Sequence, residues 1–187
     1  MATTSLFVAF LRGMNVGGHR LTNGELCAHF VALGFTDVAT FRASGNVIFA
    51  GVPDADEALA ERIEDGLRGL LGYAVPTFIR SDAEVVAIAE SSPVAEELVA
   101  ASRGKLQVAL LAQPASPSAR RQVLKLAGEE DLLSFGPREL FWLPSGGILD
   151  SPLDMKAIEA LLGPMTIRTK NTIEQIAARH LGHSPAR

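Results

Sequence analysis

The chain opens on an apolar run, SLFVAFL at residues 5–11, in which β-branched and aromatic side chains occupy both alternating sets of positions. A strand with two apolar faces is typical of a sheet that is covered on both sides. A helix follows a glycine-rich segment, because Thr22 and Glu25 have the spacing of a capping box and Gly34 supplies a stop. Its predicted apolar face consists of Leu26, Phe30, Val31 and Leu33.

The rest of the first half predicts two short strands, 37–43 and 46–51, joined by a tight hairpin at Ser44-Gly45. A long helix from Pro53 to Leu71 comes next and ends at Gly72. The last strand, 74–80, contains Pro76, which favours an edge position in the sheet. The order β-α-β-β-α-β is that of the ferredoxin-like fold.

The second half repeats this order after a helical stretch at 82–101 that is interrupted at Ser91-Ser92-Pro93. The predicted strands are 105–112, 130–135, 138–144 and 165–170, and the predicted helices are 117–127, 152–162 and 172–182. The spacing of Leu, Val, Ala and Leu in residues 6–11 recurs in residues 106–111. We therefore predict an α+β protein of two ferredoxin-like (βαββαβ) subdomains that arose by duplication. The first spans 1–81, a helical connector spans 82–104, and the second spans 105–187 with an appended C-terminal helix.

The charge balance argues against broad nucleic-acid binding. The 187 residues carry a net charge of −4, and residues 1–92 hold 6 Lys and Arg against 11 Asp and Glu, a balance of −5. Residues 93–187 hold 11 and 10, a balance of +1. Sequence-blind binding to nucleic acid requires a basic face. Hydrophobic residues make up 48% of the chain, which is enough for a core.

A single cysteine, Cys27, excludes an internal disulfide and a thiolate metal cage, as expected in a reducing compartment. The first residues lack a signal-peptide pattern, and no apolar run reaches the roughly 20 residues of a membrane helix. We expect a cytoplasmic protein with no membrane partner, and a core thiol at Cys27.

The histidines predict no metal site. They are scattered along the chain, and no acidic or cysteine cluster accompanies His180 and His183, the pair that would share a helix face. No H-E-x-x-H or G-x-S-x-G pattern is present either. We therefore predict no metal and no cofactor.

Candidate chemistry lies first in the segment LRGMNVGGHR, residues 11–20. The guanidinium of Arg12 can donate paired hydrogen bonds to a carboxylate or phosphate, and the glycines allow the backbone to approach a ligand. The segment leads into the helix near Thr22, whose first N–H groups attract anions. The alternative is a wide turn, and the spacing G-x-x-x-G-G, which matches no phosphate-binding fingerprint, by itself favours that turn.

Two further polar segments accompany it. RASGN at 42–46 fits a hairpin, or a site formed by Ser44 and Asn46 at a sheet end. In TIRTKNT at 166–172, Arg168 and Lys170 alternate on one predicted strand, and Asn171 or Thr172 would cap the last helix. These residues form either a solvated strand end or, with the segment of Arg12, one basic pocket.

Three stretches are similar to the signature blocks of the bacterial family called domain of unknown function 1697: residues 8–26, 33–51 and 166–177. The resemblance implies a pair of ferredoxin-like subdomains. It also implies a set of recurrent polar positions: Arg12, Gly13, Asn15, Gly17, Gly18, Ser44, Gly45, Asn46, Arg168, Asn171 and Thr172. All of them except Gly45 and Thr172 are candidate ligand contacts. The third block departs from the pattern, with Thr169 and Lys170 where the family has Asn and Trp.

The sequence predicts a protein that binds a small anionic or phosphorylated ligand at the glycine-rich segment. One alternative is an enzyme, a hydrolase or transferase in which Ser44 or Asn15 orients the substrate and His19 is the candidate base. A second alternative is selective contact with nucleic acid, which the acidic first half disfavours. The sequence leaves open whether the protein is an enzyme and how many copies assemble.

Overall fold

A computed structural model describes residues 4–14, 21–42, 45–128 and 131–182. The described chain forms two four-stranded antiparallel sheets with helices. The strands are β1 (Ser5–Leu11), β2 (Thr36–Thr40), β3 (Asn46–Gly51), β4 (Thr77–Ser81), β5 (Gln107–Leu111), β6 (Leu132–Phe135), β7 (Glu139–Leu143) and β8 (Met165–Thr169). The helices are α1 (Asn23–Ala32), α2 (Asp56–Leu71), α3 (Asp82–Glu90), α4 (Glu96–Ala101), α5 (Pro117–Leu126), α6 (Met155–Leu162) and α7 (Lys170–His180).

The strand order confirms the predicted fold class. The first sheet runs β2-β3-β1-β4 and the second runs β6-β7-β5-β8, the same order in both halves. Every paired strand is antiparallel, and each half has the βαββαβ order of the ferredoxin-like fold. Helix α7 is the predicted C-terminal addition. β4 is an edge strand that begins just after Pro76, as expected.

The chain divides into two compact units. The first consists of Met1–Ala87 with Ile176–Arg187, and the second of Ile88–Gln175. The division at 87 and 88 falls inside the connector predicted at 82–104, and the last residues group with the first unit.

The core of the first unit lies between one face of its sheet and the helices α1 and α2. Phe7, Ala9 and Leu11 of β1 belong to this core together with Phe30 of α1 and Ile63 of α2. The alternating residues of β1, Val8 and Phe10, have no exposed surface either. Both faces of β1 are therefore buried, as its doubly apolar pattern predicts.

Helix α1 begins as predicted but presents a narrower apolar face. Leu26 and Phe30 are one turn apart and buried. Val31, in contrast, is 58% exposed, so the prediction that placed it on the buried face is wrong. The next residue of a helix is rotated by about 100° away from a buried neighbour, which carries Val31 off the face that Phe30 occupies. Cys27 follows Leu26 in the same way and is half-buried rather than fully in the core.

Side-chain caps shift two helix starts in the second half. Helix α6 begins at Met155 rather than at Pro152, because the carboxylate of Asp154 accepts from the N–H groups of Lys156 and Ala157, each at 3.0 Å. Helix α7 begins at Lys170 rather than at residue 172, because the Oγ1 of Thr169 accepts from the N–H of Thr172 at 3.2 Å. The predicted cap at Asn171 or Thr172 is therefore wrong.

Over the described ranges, no helix combines the length and the apolar composition that crossing a membrane requires.

Two glycines of α2 give a matched test of helix packing. A Cβ on Gly69 would have no atom within 4 Å, whereas a Cβ on Gly66 would lie 2.8 Å from the Nε2 of His29. We expect Gly69→Ala to raise the free energy of unfolding by about 0.5–1 kcal/mol, because alanine costs less backbone entropy in a helix. Gly66→Ala should be less stable than Gly69→Ala by about 1 kcal/mol, because the side chains of His29 and Leu33 must shift to admit the methyl group. Urea unfolding followed by far-UV circular dichroism measures both, and equal stabilities would contradict the packing described.

His29 predicts a pH dependence of stability. Its Nε2 is buried and, within the described ranges, has no hydrogen-bond partner. This desolvation lowers the pKa of His29 from its ordinary value near 6.5. The unfolded chain therefore binds the proton more readily, so the stabilisation is complete above pH 6.5 and is lost as the pH falls. We expect the drop in unfolding free energy between pH 7 and pH 5 to be smaller in His29→Gln than in wild type. Equal drops would show that His29 does not contribute.

Candidate functional site

The end of β1 is fixed by backbone hydrogen bonds on both sides. The N–H of Leu11 donates to the carbonyl of Gly45 at 2.8 Å, and the N–H of Arg12 donates to the carbonyl of Pro76 at 2.9 Å. The turn between β2 and β3, the end of β1 and the start of β4 thus meet at one end of the first sheet. Arg12 is half-buried at this end.

The residues after Arg12 are anchored before they leave the sheet. Gly13 is exposed with φ +69°, a conformation that favours glycine. Met14 is 5% exposed within the core of the first unit, and the hydroxyl of Tyr73 donates to its carbonyl. The exposed backbone at Gly13 therefore lies between two fixed residues. Asn15, Gly17 and Gly18, with the candidate base His19, lie outside the described residues.

In the second predicted segment, RASGN, the described residues Gly45 and Asn46 contribute to the packing and hydrogen bonding of the sheet. Asn46 has no exposed surface, and its Nδ2 donates to the carbonyl of Phe41 at 2.9 Å, beside the backbone bond from Phe41 N–H to Asn46 O at 3.0 Å. Gly45 has φ +69°, and a Cβ there would lie 3.0 Å from the Cβ of Leu11. Asn46 and Gly45 thus position the backbone around Leu11. Ser44 lies outside the described residues.

The start of α1 carries the capping box that the sequence predicts. The N–H of Thr22 donates to the carboxylate of Glu25 at 2.8 Å, and the N–H of Glu25 donates to Thr22 Oγ1 at 3.2 Å. These bonds lower the pKa of Glu25. A carboxylate of the chain already accepts from the first of these N–H groups, so the expectation that this helix start attracts a ligand stays a prediction.

The third segment lies in the second unit. The guanidinium of Arg168 on β8 donates to Thr166 Oγ1 and to the carbonyl of Ile167, both at 2.9 Å. Burial lowers its pKa to about 10, so Arg168 stays charged at neutral pH. Asn171 is exposed, and its Oδ1 accepts from Gln175 Nε2 at 3.1 Å. A basic pocket shared by Arg12 and Arg168 stays a prediction.

Lys170 does not point with Arg168 along a strand. As the first residue of α7 it donates from Nζ to the carbonyl of Ala89 at 2.8 Å and to Glu174 Oε1 at 2.6 Å. The predicted alternation of the two cations on β8 is therefore wrong, because the strand ends at Thr169. Lys170, Asn171 and Thr169 help to line a cavity of about 320 Å³ in the second unit.

The register of the two sheets shows a counterpart of Arg168 that the sequence analysis missed. Arg168 is opposite Val108 on β5, and Arg80 is opposite Val8 on β1, the equivalent position in the first half. Both guanidiniums donate at 2.9 Å to the carbonyl of the residue before them. This pair could have been found in the sequence, because Ile-Arg followed by Ser or Thr occurs at both 79–81 and 167–169. Because Arg80 has no exposed surface, an arginine here belongs to the packing of the repeat.

Arg42 is a second cation at the end of the first sheet that holds Arg12. It is exposed, has φ +59°, and its guanidinium lies 5.4 Å from the ring centroid of Phe41. Arg42 is the first residue of the segment RASGN. The sequence did not single it out, because the hairpin interpretation of that segment does not require an arginine. Among the described residues, no three His, Cys, Asp or Glu side chains come together as metal ligands.

Comparisons with known proteins agree with this fold. The model of the protein family of unknown function DUF1697 matches residues 5–141, which include the first two similar blocks but not the third. No curated protein matches the chain. The solved structure of the conserved bacterial protein SP0830 from Streptococcus pneumoniae is similar, with a TM-score of 0.69 and 19% identity over 94% of this chain and 98% of that one. That likeness shows the fold alone. Because the family model matches well over half of its length, the chain belongs to the DUF1697 family.

Proposed function

We propose that this protein binds a small anionic ligand, a carboxylate or a phosphate, at the end of the first sheet. The observation that carries the proposal is the fixed end of β1, where backbone bonds to Gly45 and Pro76 hold Arg12 next to the exposed Gly13. A site on rigid elements orients a ligand at a lower entropic cost than a free loop.

The chemistry of this end suits an anion. The planar guanidinium of Arg12 can donate two parallel hydrogen bonds to a carboxylate or phosphate. Gly13 is exposed, and because it has no side chain a ligand can approach its backbone closely. Arg42 adds a second positive charge at the same end of the sheet. The first half of the chain carries a net charge of −5. The two arginines therefore make this end of the sheet more favourable for an anion than the rest of the surface of that half.

The remaining predicted contacts enter the proposal in different roles. Asn46 and Gly45 position the site, since their atoms are used within the sheet. Asn15, Gly17, Gly18 and Ser44 stay candidates for direct contact. Arg168 and Asn171 stay candidates for ligand contact within the second unit. We place the protein in the cytoplasm, where a chain with one cysteine needs no oxidising compartment.

Isothermal titration calorimetry with inorganic phosphate and with citrate tests the proposal. We expect Arg12→Ala to weaken binding by about tenfold to a hundredfold, because a charge-assisted hydrogen bond contributes about 1.5–3 kcal/mol. Arg12→Lys keeps the charge but loses the fork, and should fall between the two. Arg68→Ala removes an exposed arginine of α2 that pairs with Asp65 and should bind like wild type. Equal affinities of the Arg12→Ala and Arg68→Ala variants would sink the proposal.

A further inference from the structure

A cavity of about 400 Å³ lies on the first sheet. Its lining includes Leu6, Ala39, Ile48 and Ala50, with the carboxylate of Asp37 and the imidazole of His180. Leu6 is opposite Ala50, five residues before Leu11 on β1, which is a distance of roughly 17 Å along the strand. The Leu6 end of this cavity, which we call the β2–β3 cavity, is therefore remote from Arg12, whereas its His180 end lies beside Phe41, next to Arg42.

The polar groups of the β2–β3 cavity are separated along β2. Asp37 is at the beginning of this strand, where the register to β3 shifts between Thr36 and Ala39. His180 packs edge-on against Phe41, with ring centroids 5.9 Å apart. Phe41 lies four residues beyond Asp37, a rise of roughly 10–13 Å. One end of the cavity thus carries a carboxylate and the other an imidazole.

Arg179, the residue before His180, does not line the cavity but carries a positive charge beside its His180 end. Its guanidinium lies 5.7 Å from the centroid of Phe41. Among the described residues, neither this guanidinium nor the carboxylate of Asp37 has a hydrogen-bond or ion-pair partner. Between these two charges the floor of the cavity is apolar, formed by Ala39, Ile48 and Ala50. The charges of the site are opposite at its two ends and are not neutralised by the described chain.

We propose that the β2–β3 cavity binds a short peptide with free termini. Its ammonium group pairs with Asp37, its carboxylate pairs with Arg179 and His180, and its apolar side chains lie on the floor between them. An extended tripeptide separates its terminal charges by about 10 Å, which matches the separation along β2. A cavity of this size is within the usual range of roughly 300–1,000 Å³ for small-molecule sites. The site goes beyond the anion site at Arg12 and uses different side chains, and the two sites approach each other at Phe41, whose ring both Arg42 and Arg179 contact.

The test uses calorimetric titration of the full chain with three forms of the tripeptide Ala-Leu-Ala. These are the form with free termini, the N-acetylated form and the C-amidated form. We expect the free form to bind and either blocked form to bind about tenfold more weakly, since each loses one charge-assisted contact. In Asp37→Asn the free and acetylated forms should bind alike, and in Arg179→Gln the free and amidated forms should bind alike.

The variants are chosen so that the fold survives. Asparagine tolerates the positive φ of +48° at residue 37, and Arg179 is exposed. Glu61→Gln and Arg68→Gln, which remove exposed charges of α2, are matched controls and should bind like wild type. Three outcomes overturn the proposal: no binding of the free tripeptide, equal binding of its three forms by wild type, or concentration-dependent dimerisation that occupies the cavity instead. Because phosphate is absent from the titration, failure here leaves the Arg12 site unaffected.

Discussion

Replacing Gly104 with alanine is expected to destabilise the second unit by about 3 kcal/mol or more. A Cβ at residue 104 would lie 2.2 Å from the carbonyl oxygen of Pro144 and 2.6 Å from that of Gly146. Both are backbone atoms, which cannot turn aside as a flexible side chain can. The approach is held by Ser102, whose hydroxyl donates to the carbonyl of Pro144 at 2.7 Å and accepts from the N–H of Gly104 at 2.9 Å.

Urea unfolding followed by the fluorescence of Trp142, the one tryptophan of the chain, measures this effect in the unit that contains it. Gly146→Ala is the matched control, because a Cβ there would have no atom within 4 Å. We expect it to change the unfolding free energy by less than about 0.5 kcal/mol. If the two variants unfold at the same urea concentration, the close approach of the two backbone segments is not present in solution.

Removing the carboxylate of Asp131 is expected to cost about 2–4 kcal/mol. Asp131 is 3% exposed, and its Oδ1 accepts from the indole N–H of Trp142 at 2.6 Å. The hydroxyl of Ser151 donates to the same carboxylate at 2.9 Å. Asp131→Ala would leave the indole N–H buried without an acceptor and would open a void beside it. The same urea titration gives the cost, and the fluorescence spectrum of the folded state reports the changed surroundings of Trp142.

Asp131→Asn is the matched variant for this network. It keeps the side-chain volume and one acceptor oxygen for the indole, so we expect a cost of only about 1 kcal/mol. Equal costs for the alanine and asparagine variants would show that the charge of the carboxylate, which both variants remove, determines the effect rather than the acceptor for Trp142.

The elements that the sequence predicted best are those set by local pattern. The doubly apolar run at 5–11 is β1, and the capping box at Thr22 and Glu25 starts α1. The prediction failed where a neighbouring cap competed. Thr169 and Asp154 accept from helix N–H groups, so α7 and α6 begin at residues that the apolar period alone did not indicate.

The candidate site was predicted less completely because its residues gain their roles from strand pairing. From the sequence, Asn46 is a polar residue at a sheet end that is available to a ligand. In the structure its amide donates a hydrogen bond to the carbonyl of Phe41 in the hairpin. Arg80 stands in an ordinary strand pattern, and only the register opposite Val8 shows that it repeats Arg168. The cavity between Asp37 and His180 joins residues more than 140 positions apart, a separation that no local pattern can bridge.

Binding of a small anion at the fixed end of β1 is most directly tested by fluorine NMR of protein labelled with 3-fluorotyrosine. Tyr73 is the one tyrosine of the chain, and its hydroxyl donates to Met14, two residues after Arg12, so the label gives a single resonance beside the site. On titration with inorganic phosphate we predict a saturable shift of this resonance in wild type and in Arg68→Ala, and none in Arg12→Ala at the same concentrations. A resonance that does not move in wild type, or that moves equally in the Arg12→Ala variant, would contradict the account.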